Sequence, residues 1–381
     1  MDWNIPLSDI DFGPEEEAAV TSVLRSRWLT MGALTQQFED EVSAFTGAKH
    51  AIAVTNATAA LHLACLAAGL GPGDEVILPA LTFVATANAV RYTGATPVFA
   101  DIGGEHDLNL SPEAVEAALT GRTRAILLMH YGGYPCDMPA FIQLARQNGL
   151  IIIEDAAHAI GGELEGRHLG TWGQSGCYSF FSNKNMTTGE GGMLVTDNNR
   201  VAETVRLLRS HGMTSLTWDR HQGHAWSYDV QALGYNYRID ELRAALGRVQ
   251  LQKLARNNQI RRERTALYLD LLGERCPSVG LPFRAHPGVS ACHLLSVLLP
   301  EGLSREAFMD VMKQRGVQTS IHYPPIHHFS AYRTFRTEQY ANLPHTEAVA
   351  AREVTLPLYP GLSEADVRFV VEAVRDSLAE L

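Results

Sequence analysis

The sequence predicts an α/β protein with a large domain built on a mostly parallel sheet and a smaller C-terminal α+β domain. The chain has 381 residues, more than one hydrophobic core usually serves, so two domains of unequal size are expected. In the first two-thirds, short apolar runs alternate with helical stretches, which is typical of parallel strands covered by helices on both faces. After Pro277 the pattern changes to a smaller mixture of helices and strands. We therefore predict one domain over residues 1–250, and a linker helix with a second domain over residues 251–381.

The strands of the large domain are predicted from short runs rich in β-branched and aliphatic residues. They are Ala51–Thr55, Glu75–Leu78, Thr96–Ala100, Ala125–His130, Leu150–Glu154, Gly176–Phe181 and Gly192–Thr196. The helices between them have apolar residues at helical spacing, and Ser111 followed by Pro112 is a favourable helix start. They are Thr58–Ala68, Val84–Tyr92, Pro112–Leu119 and Met138–Asn148. Gly69 and Gly149 close two of these helices in the expected way.

The rest of the chain is predicted to be mainly helical. Helical patterns cover Asn199–His211 and Asp240–Leu272, and the second, which is long and rich in arginine, is interpreted as a linker helix leading out of the large domain. The small domain should contain two strands and three helices. They are the strands His293–Leu299 and Val317–Tyr323, and the helices Arg305–Arg315, Thr346–Glu353 and Ser363–Ala379.

Composition and charge restrict the class of ligand and the compartment. The net charge is −11 and no block of like charge is present, so general binding to nucleic-acid phosphates is disfavoured. The cysteines are odd in number and lack zinc-site spacing, which favours free thiols in a reducing compartment and no metal centre. The N-terminus has no signal-peptide pattern, and no apolar run approaches the ~18 residues of a membrane span. A cytoplasmic protein with no nucleic-acid or membrane partner is therefore expected.

Lys184 is the most informative residue of the sequence. It lies between two predicted strands, in the segment Ser179–Gly192, where small and polar neighbours let a planar group approach the backbone. A lysine in such a place can form an imine with an aldehyde cofactor. Earlier in the chain, the predicted strand Leu150–Glu154 leads into Asp155, with His158 close behind. A lysine for the imine and an aspartate for the ring nitrogen together indicate pyridoxal phosphate (PLP).

Further positions are candidates for holding that cofactor. The segment Thr55–Thr58 follows a predicted strand and opens a helix, so its free N–H groups form a natural phosphate cradle; an ordinary Asn or Thr helix cap is the alternative. Ser179 would point from its strand toward the same phosphate, or be structural. Phe83 is a candidate platform for stacking on the ring, and His158 a candidate contact beside it. Both residue types also occur as ordinary core side chains.

Seven short motifs of this sequence, taken together, are specific. They are Asn56-Ala-Thr58, Leu81-Thr-Phe83, Glu154-Asp-Ala-Ala-His158, Ser179-Phe, Lys184-Asn, Gly189-Glu-Gly-Gly192 and Gly234-Tyr-Asn-Tyr-Arg238. In order and spacing they resemble the DegT/DnrJ/EryC1/StrS family of PLP-dependent nucleotide-sugar aminotransferases, from about Pro6 to the C-terminus. The resemblance implies the type I, aspartate-aminotransferase-like fold of PLP-dependent transferases.

The resemblance also implies roles for the matching residues. Lys184 would hold the cofactor and move a proton between the reacting carbons, and Asp155 would pair with the ring nitrogen. The other cofactor contacts would be Asn56, Ala57, Thr58 and Ser179 at the phosphate, Phe83 and His158 at the ring, and Asn236 and Arg238 from the neighbouring chain. Family members are homodimers with shared active sites. The segment His322–His327 resembles a segment that lies near the sugar pocket in family members. This makes His322, Tyr323 and His327 candidate substrate contacts; a Pro-rich surface loop is the alternative.

These roles imply a transaminase that alternates between PLP and pyridoxamine phosphate. The expected amino donor is L-glutamate, and the expected acceptor is a nucleotide-linked 4-keto-6-deoxyhexose in amino-deoxysugar biosynthesis. A 3-keto sugar or a keto-cyclitol of the scyllo-inosose type is the alternative acceptor. A PLP-dependent sugar dehydratase and a non-enzymatic sensor also stay open, although relatives that are dehydratases often have histidine in place of Lys184. The segment Phe181–Asn183 departs from the histidine and small residues of many relatives, which changes the expected lining of the pocket.

Overall fold

The computed structural model describes residues 3–214, 227–333 and 342–381. The helices in these ranges are α1 (Pro14–Ser26), α2 (Ala33–Thr46), α3 (Ala57–Ala67), α4 (Val84–Tyr92), α5 (Pro112–Ala117), α6 (Met138–Asn148), α7 (Asn199–Arg209), α8 (Glu241–Arg275), α9 (Arg305–Gln314), α10 (Pro344–Arg352) and α11 (Glu364–Glu380). The strands are β1 (His50–Val54), β2 (Glu75–Pro79), β3 (Thr96–Ala100), β4 (Thr123–Met129), β5 (Ile151–Asp155), β6 (Glu163–Leu164), β7 (Arg167–His168), β8 (Ser175–Ser179), β9 (Gly192–Thr196), β10 (Leu295–Leu298) and β11 (Glu353–Leu356). The predicted elements of the large domain are all present with small shifts at their ends. Helices α1 and α2 and the β6–β7 hairpin were not predicted.

A seven-stranded sheet forms the centre of the protein, in the order β1-β9-β8-β5-β4-β2-β3. Neighbouring strands from β8 to β3 run parallel, whereas β9 is antiparallel to both β1 and β8. Both faces are covered, because Ile126 packs with Phe38 on one face and Leu127 packs with Leu61 of α3 on the other. Each fully buried aliphatic side chain of this kind contributes about 1.5–3 kcal/mol. The prediction of an α/β protein with a mostly parallel sheet is confirmed.

The parallel strands all end at one edge of the sheet. β5 ends at Asp155, β8 ends at Ser179, and β1 leads into the first turn of α3 through Asn56. The antiparallel β9 begins at this edge with Gly192, where an added Cβ would lie 2.4 Å from the carbonyl carbon of Asn56, so a residue without a side chain is required. Polar groups from distant parts of the sequence therefore meet here, at the usual place of ligand sites in such sheets.

The C-terminal part is built on an antiparallel pair, β10 and β11, packed against α9, α10 and α11. The prediction of a strand over Val317–Tyr323 is wrong, because this segment forms isolated bridges with Ile5 and Thr355 instead of a continuous ladder. The backbone of this segment pairs at one point with the N-terminal segment and at another with β11, and it runs alongside neither of them for several residues. The true second strand is Glu353–Leu356, whose first residue had been predicted as the end of a helix.

Helix α8 connects the sheet to the C-terminal part. Its cap is Asp240, whose side chain accepts the Arg243 N–H at 2.9 Å. Leu254 packs with residues under the sheet, whereas Tyr268 and Leu272 pack in the C-terminal core. The predicted boundary at residue 250 lies inside this helix, and the division into two domains stays a prediction. None of the described helices, α8 included, is both long and apolar enough to cross a membrane.

Candidate active site

A cleft with a volume of about 470 Å³ opens at the carboxyl edge of the sheet. Its walls include the first turn of α3, the ends of β5 and β8, and the connection that follows β8. The predicted site residues in its lining are Asn56, Ala57, Thr58, Phe83, Asp155, His158, Ser179, Lys184, His322 and Tyr323. The sheet topology accounts for this convergence, because parallel strands deliver their carboxyl ends to one place.

Lys184 lies in the long connection between β8 and β9, with its side chain half-buried in the cleft. The ends of this connection are tied together, because the Phe180 N–H donates to the Gly191 carbonyl at 2.9 Å. Burial lowers the pKa of the Lys184 amine to about 8, and the nearby Asp155 carboxylate opposes this change. A pKa near 8 leaves roughly a tenth of the amine neutral at pH 7. The residue can therefore act as both a nucleophile and a base.

Asp155 is held at the end of β5 by two neutral donors. Its Oδ2 accepts the Thr86 hydroxyl at 2.7 Å, and its Oδ1 accepts the Ala157 N–H at 3.1 Å. Burial raises the pKa of this carboxyl, and the two hydrogen bonds act against that rise. The adjacent Glu154 accepts the N–H groups of Gly170 and Gly173 instead. Of the two acids, Asp155 alone lines the cleft, because successive side chains of a strand point to opposite faces.

The first turn of α3 presents backbone donors to the cleft. Asn56 is the helix cap, and its side-chain oxygen accepts the Ala59 N–H at 2.9 Å. The N–H groups of Ala57 and Thr58 come too early in the helix to have an intrahelical acceptor. With the helix dipole and the Ser179 hydroxyl, they make a donor set suited to phosphate. The two interpretations of this segment, helix cap and phosphate cradle, are therefore compatible.

Phe83, His158 and Tyr323 form an aromatic wall of the cleft. The Phe83 side chain is 54% exposed, and its ring centroid lies 5.8 Å from that of Tyr323. His158 accepts the Gly132 N–H at Nδ1 over 3.3 Å, so its Nε2 carries the proton and donates to the Tyr323 hydroxyl at 3.0 Å. Burial lowers the pKa of His158 and raises the pKa of Tyr323, so both are neutral at pH 7. The Tyr323 hydroxyl thus keeps its own proton for donation toward the cleft.

His322 is fixed from behind by polar groups of β11. Its backbone N–H donates to Glu353 at 2.8 Å, and its Nδ1 lies 2.8 Å from the Thr355 hydroxyl. Burial, and then the charge of Lys184, lower the pKa of His322 to about 4. The ring is therefore neutral and can contact a ligand as a hydrogen-bonding group, not as a cation.

His293 is a second histidine beside Lys184, and the sequence patterns did not identify it. Its Nε2 lies 3.3 Å from Nζ of Lys184, and its Nδ1 lies 2.9 Å from Oδ1 of Asn185. It occurs in an apolar run that leads into β10, with no motif around it, so only the tertiary fold brings it to the lysine. Glu190, from the Gly189–Gly192 motif, also lines the cleft.

Three predicted residues do not line the cleft of this single chain: Asn236, Arg238 and His327. Asn236 is exposed and bridges to Ser210, and Arg238 is half-buried. Their predicted contact with a neighbouring chain's site stays a prediction.

His327 is buried outside the cleft lining. Its Nε2 lies 2.7 Å from a carboxylate oxygen of Glu347, which also contacts His328 at 2.8 Å. Two ordinary hydrogen bonds to one carboxylate oxygen account for this cluster. The cleft gives no support to the prediction that His327 binds substrate.

The chemistry of the cleft fits PLP group by group. The N–H groups of Ala57 and Thr58, with the Ser179 hydroxyl, match the phosphate, and the Lys184 amine matches the aldehyde. The described hydrogen bonds of Asp155 come from neutral donors. A protonated ring nitrogen would supply a hydrogen-bonded cationic partner, which favours the charged form of this buried carboxylate.

Comparisons with known proteins point in the same direction. A sequence model of the DegT/DnrJ/EryC1/StrS aminotransferase family matches residues 11–375. The spore coat polysaccharide biosynthesis protein SpsC of Bacillus subtilis (strain 168) is 42% identical over 381 residues, which cover 99% of this chain and 96% of SpsC.

Two solved structures are similar over nearly the whole chain. The putative sugar aminotransferase Spr1654 of Streptococcus pneumoniae, in its PLP form, has a TM-score of 0.91 at 28% identity, with 99% of each chain covered. DesI in the presence of its TDP-sugar product has a TM-score of 0.88 at 33% identity, covering 99% of this chain and 93% of DesI. These similarities confirm the predicted fold class.

Proposed function

The chain belongs to the DegT/DnrJ/EryC1/StrS aminotransferase family, and from this membership we propose that it moves an amino group from L-glutamate to the keto group of a nucleotide-linked sugar. Its class and cofactor follow from the comparisons. It is a PLP-dependent transaminase, because structural relatives are sugar aminotransferases with PLP and PMP (pyridoxamine phosphate) forms.

The observation that carries the proposal is that Lys184 and Asp155 line one cleft, with the pKa of the lysine lowered to about 8. When bound, PLP supplies an aldehyde that carries the amino group between the substrates and a ring that takes up electron density from the reacting carbon. Asp155 keeps the ring nitrogen protonated by accepting its hydrogen bond. The neutral amine of Lys184 would remove the proton from the α-carbon of the donor and return it at the former aldehyde carbon of the cofactor, since one group can reach both.

The proposed sugar contacts are His322 and Tyr323. Tyr323 has its hydroxyl proton available, and His322 presents a neutral ring that is held rigidly from β11. The proposed acceptor is a nucleotide-linked 4-keto-6-deoxyhexose, and the TDP-sugar product of the relative DesI supports a nucleotide-linked substrate. Because the chain carries a net charge of −11, the phosphates of such a substrate must be bound by local donors.

We also propose a homodimer in which Asn236 and Arg238 complete the partner's site. Tyr228, Val230 and Leu233, close by in the sequence, are exposed, the last of them 89%. A group of exposed apolar side chains is typical of an interaction surface. Mixing Lys184→Ala with Arg238→Ala protein tests this. In a shared site, one site of each mixed dimer carries no substitution, which would restore about a quarter of native activity by random pairing. No recovery, in mixtures that exchange subunits, would contradict it.

The compartment proposed for this reaction is the cytoplasm. All five cysteines are free and buried, as expected for a reducing environment.

A half-reaction assay tests the substrate. Enzyme loaded with pyridoxamine phosphate would be mixed with a panel of 4-keto and 3-keto sugar nucleotides and keto-cyclitols, and the return of the absorbance band of the lysine-bound cofactor would be recorded. We expect the fastest return with a 4-keto-6-deoxyhexose, and none with the Lys184→Ala control. Faster return with another class would replace the proposed acceptor. Loss of a sugar hydroxyl without turnover of L-glutamate would indicate a dehydratase.

A further inference from the structure

His293 is a buried histidine next to Lys184 that the proposed transfer does not use. It is 5% exposed, and it lies on the segment that leads into β10. The ring of His158 flanks it with centroids 4.4 Å apart, and Nη1 of Arg261 lies 3.5 Å from its backbone carbonyl. In a buried imidazole, the hydrogen-bond partners decide which ring nitrogen carries the proton.

Asn185 determines the tautomer of His293. Its Nδ2 donates to the Ala291 carbonyl at 2.7 Å and to the side-chain oxygen of Asn258 at 2.8 Å. A backbone carbonyl can only accept, so the amide of Asn185 cannot be turned round. Its Oδ1 therefore faces Nδ1 of His293 and requires a proton there. The orientation of Asn258 is fixed in the same way, since its Nδ2 donates to the Ile160 carbonyl at 2.9 Å.

The second nitrogen of the ring, Nε2, is left with a free lone pair that faces Nζ of Lys184 at 3.3 Å. A doubly protonated ring is excluded at pH 7, because burial, and then the charge of Lys184, hold the pKa of His293 well below its usual value. The charged and titratable groups around the pair are Asp155 on β5, His158 after it, His322 near β11, and Arg261 on α8.

We propose that His293 is a positioning residue whose Nε2 accepts an N–H of the Lys184 amine and thereby holds the amine's lone pair toward the reacting carbons. This inference rests on the proposed function, in which the released amine acts as a base. The Asp155 carboxylate attracts the same amine through its charge. Without an acceptor at His293, the N–H groups of the amine would lose the contact that orients its lone pair.

The test uses the cofactor-free enzyme and two substitutions of nearly the same size. His293→Gln keeps an amide nitrogen for Asn185 and an oxygen for Lys184, because these two atoms are separated much as the two ring nitrogens are. His293→Leu removes both. The pKa of Lys184 would be measured by competitive labelling with acetic anhydride across pH, followed by peptide mass spectrometry.

In the native protein, the labelling should give a pKa of about 8 for the Lys184 amine. His293→Leu should lower the pKa of Lys184 by about one, because the ammonium form loses an acceptor while burial persists, and His293→Gln should stay near the native value. In the loaded enzyme, His293→Leu should lower the rate of the first half-reaction with little change in KM for L-glutamate, and His293→Gln should recover most of that rate.

A native pKa in His293→Leu, or equal shifts in both variants, would overturn the proposal and leave His293 with a structural role only. Should His293→Leu fail to fold, His293→Asn serves instead, since its shorter amide reaches Asn185 but not Lys184, and the same fall in pKa is expected. The labelling experiment measures the pKa of Lys184 and needs no sugar substrate. A failure of the proposed acceptor in the half-reaction assay can therefore be distinguished from a failure of this inference.

Discussion

Replacing Thr86 by valine should weaken the electronic control that Asp155 exerts on the cofactor. Valine has nearly the shape of threonine, so the substitution removes one 2.7 Å hydrogen bond to Oδ2 of Asp155 without opening a cavity. Both residues are buried, so water does not replace the donor. A hydrogen bond to a charged group contributes about 1.5–3 kcal/mol. Its loss should raise the pKa of Asp155 further, because burial then acts against one hydrogen bond fewer.

A more basic Asp155 competes for the proton on the ring nitrogen, which makes the ring a weaker electron acceptor. If the whole loss reaches the barrier, the first half-reaction with L-glutamate slows by about 10- to 150-fold. Stopped-flow absorbance at the band of the lysine-bound cofactor measures this rate in a single turnover.

Thr82→Val is the matched control. The Thr82 hydroxyl lies 2.9 Å from the Thr86 hydroxyl and 2.9 Å from the Met129 sulfur, one step further from the carboxylate. Losing this neutral hydrogen bond should cost less than about tenfold in rate. Our reasoning fails if Thr86→Val turns over at the native rate, or if the two variants are equally slow.

Three other outcomes are expected. Lys184→Ala should fold normally, since its side chain lies half in the cleft, but lose the absorbance band and slow by about 10²–10⁴-fold or more; substantial turnover would remove the lysine from its role. Gly192→Ala should lower the free energy of unfolding in urea by about 1–3 kcal/mol and weaken PLP binding, because its Cβ would meet the Asn56 backbone at 2.4 Å. Gly71→Ala, with no atom within 4 Å of the added Cβ, is the control and should be close to native. The first half-reaction should accelerate as pH rises through about 8, because only the neutral Lys184 amine is a base; a flat pH profile would contradict this assignment.

The sheet could be predicted because its strands carry their own signal. Thr96–Ala100 was predicted with the bounds that the structure has, since an apolar run between a glycine and an acidic turn reads as a buried strand. Asp155 could be placed in the cleft on the same basis, because it ends such a run. For strands buried on both faces of the sheet, the local pattern of apolar residues was sufficient to predict the element.

Other features depend on contacts that no local pattern contains. The pairing of β11 with β10 joins segments far apart in the chain. The start of β11 was missed because it follows α10 directly, so its first residue was assigned to the helix. Thr86 lies inside a correctly predicted helix, yet its bond to Asp155 depends on how that helix packs. His293 meets Lys184 only because two distant segments converge. Such residues acquire their roles from tertiary structure alone.

The length of α8 has a consequence for how the protein unfolds. One continuous helix supplies Leu254 to the core beneath the sheet and Leu272 to the C-terminal core. Neither core can open without exposing apolar surface on this shared helix, which links their stabilities. We therefore expect slowly exchanging amides at both ends of α8 to report the same opening free energy in native-state hydrogen exchange, and denaturation to be one cooperative transition. Through α8, a substitution in the C-terminal core would also lower the stability of the cleft that holds Lys184.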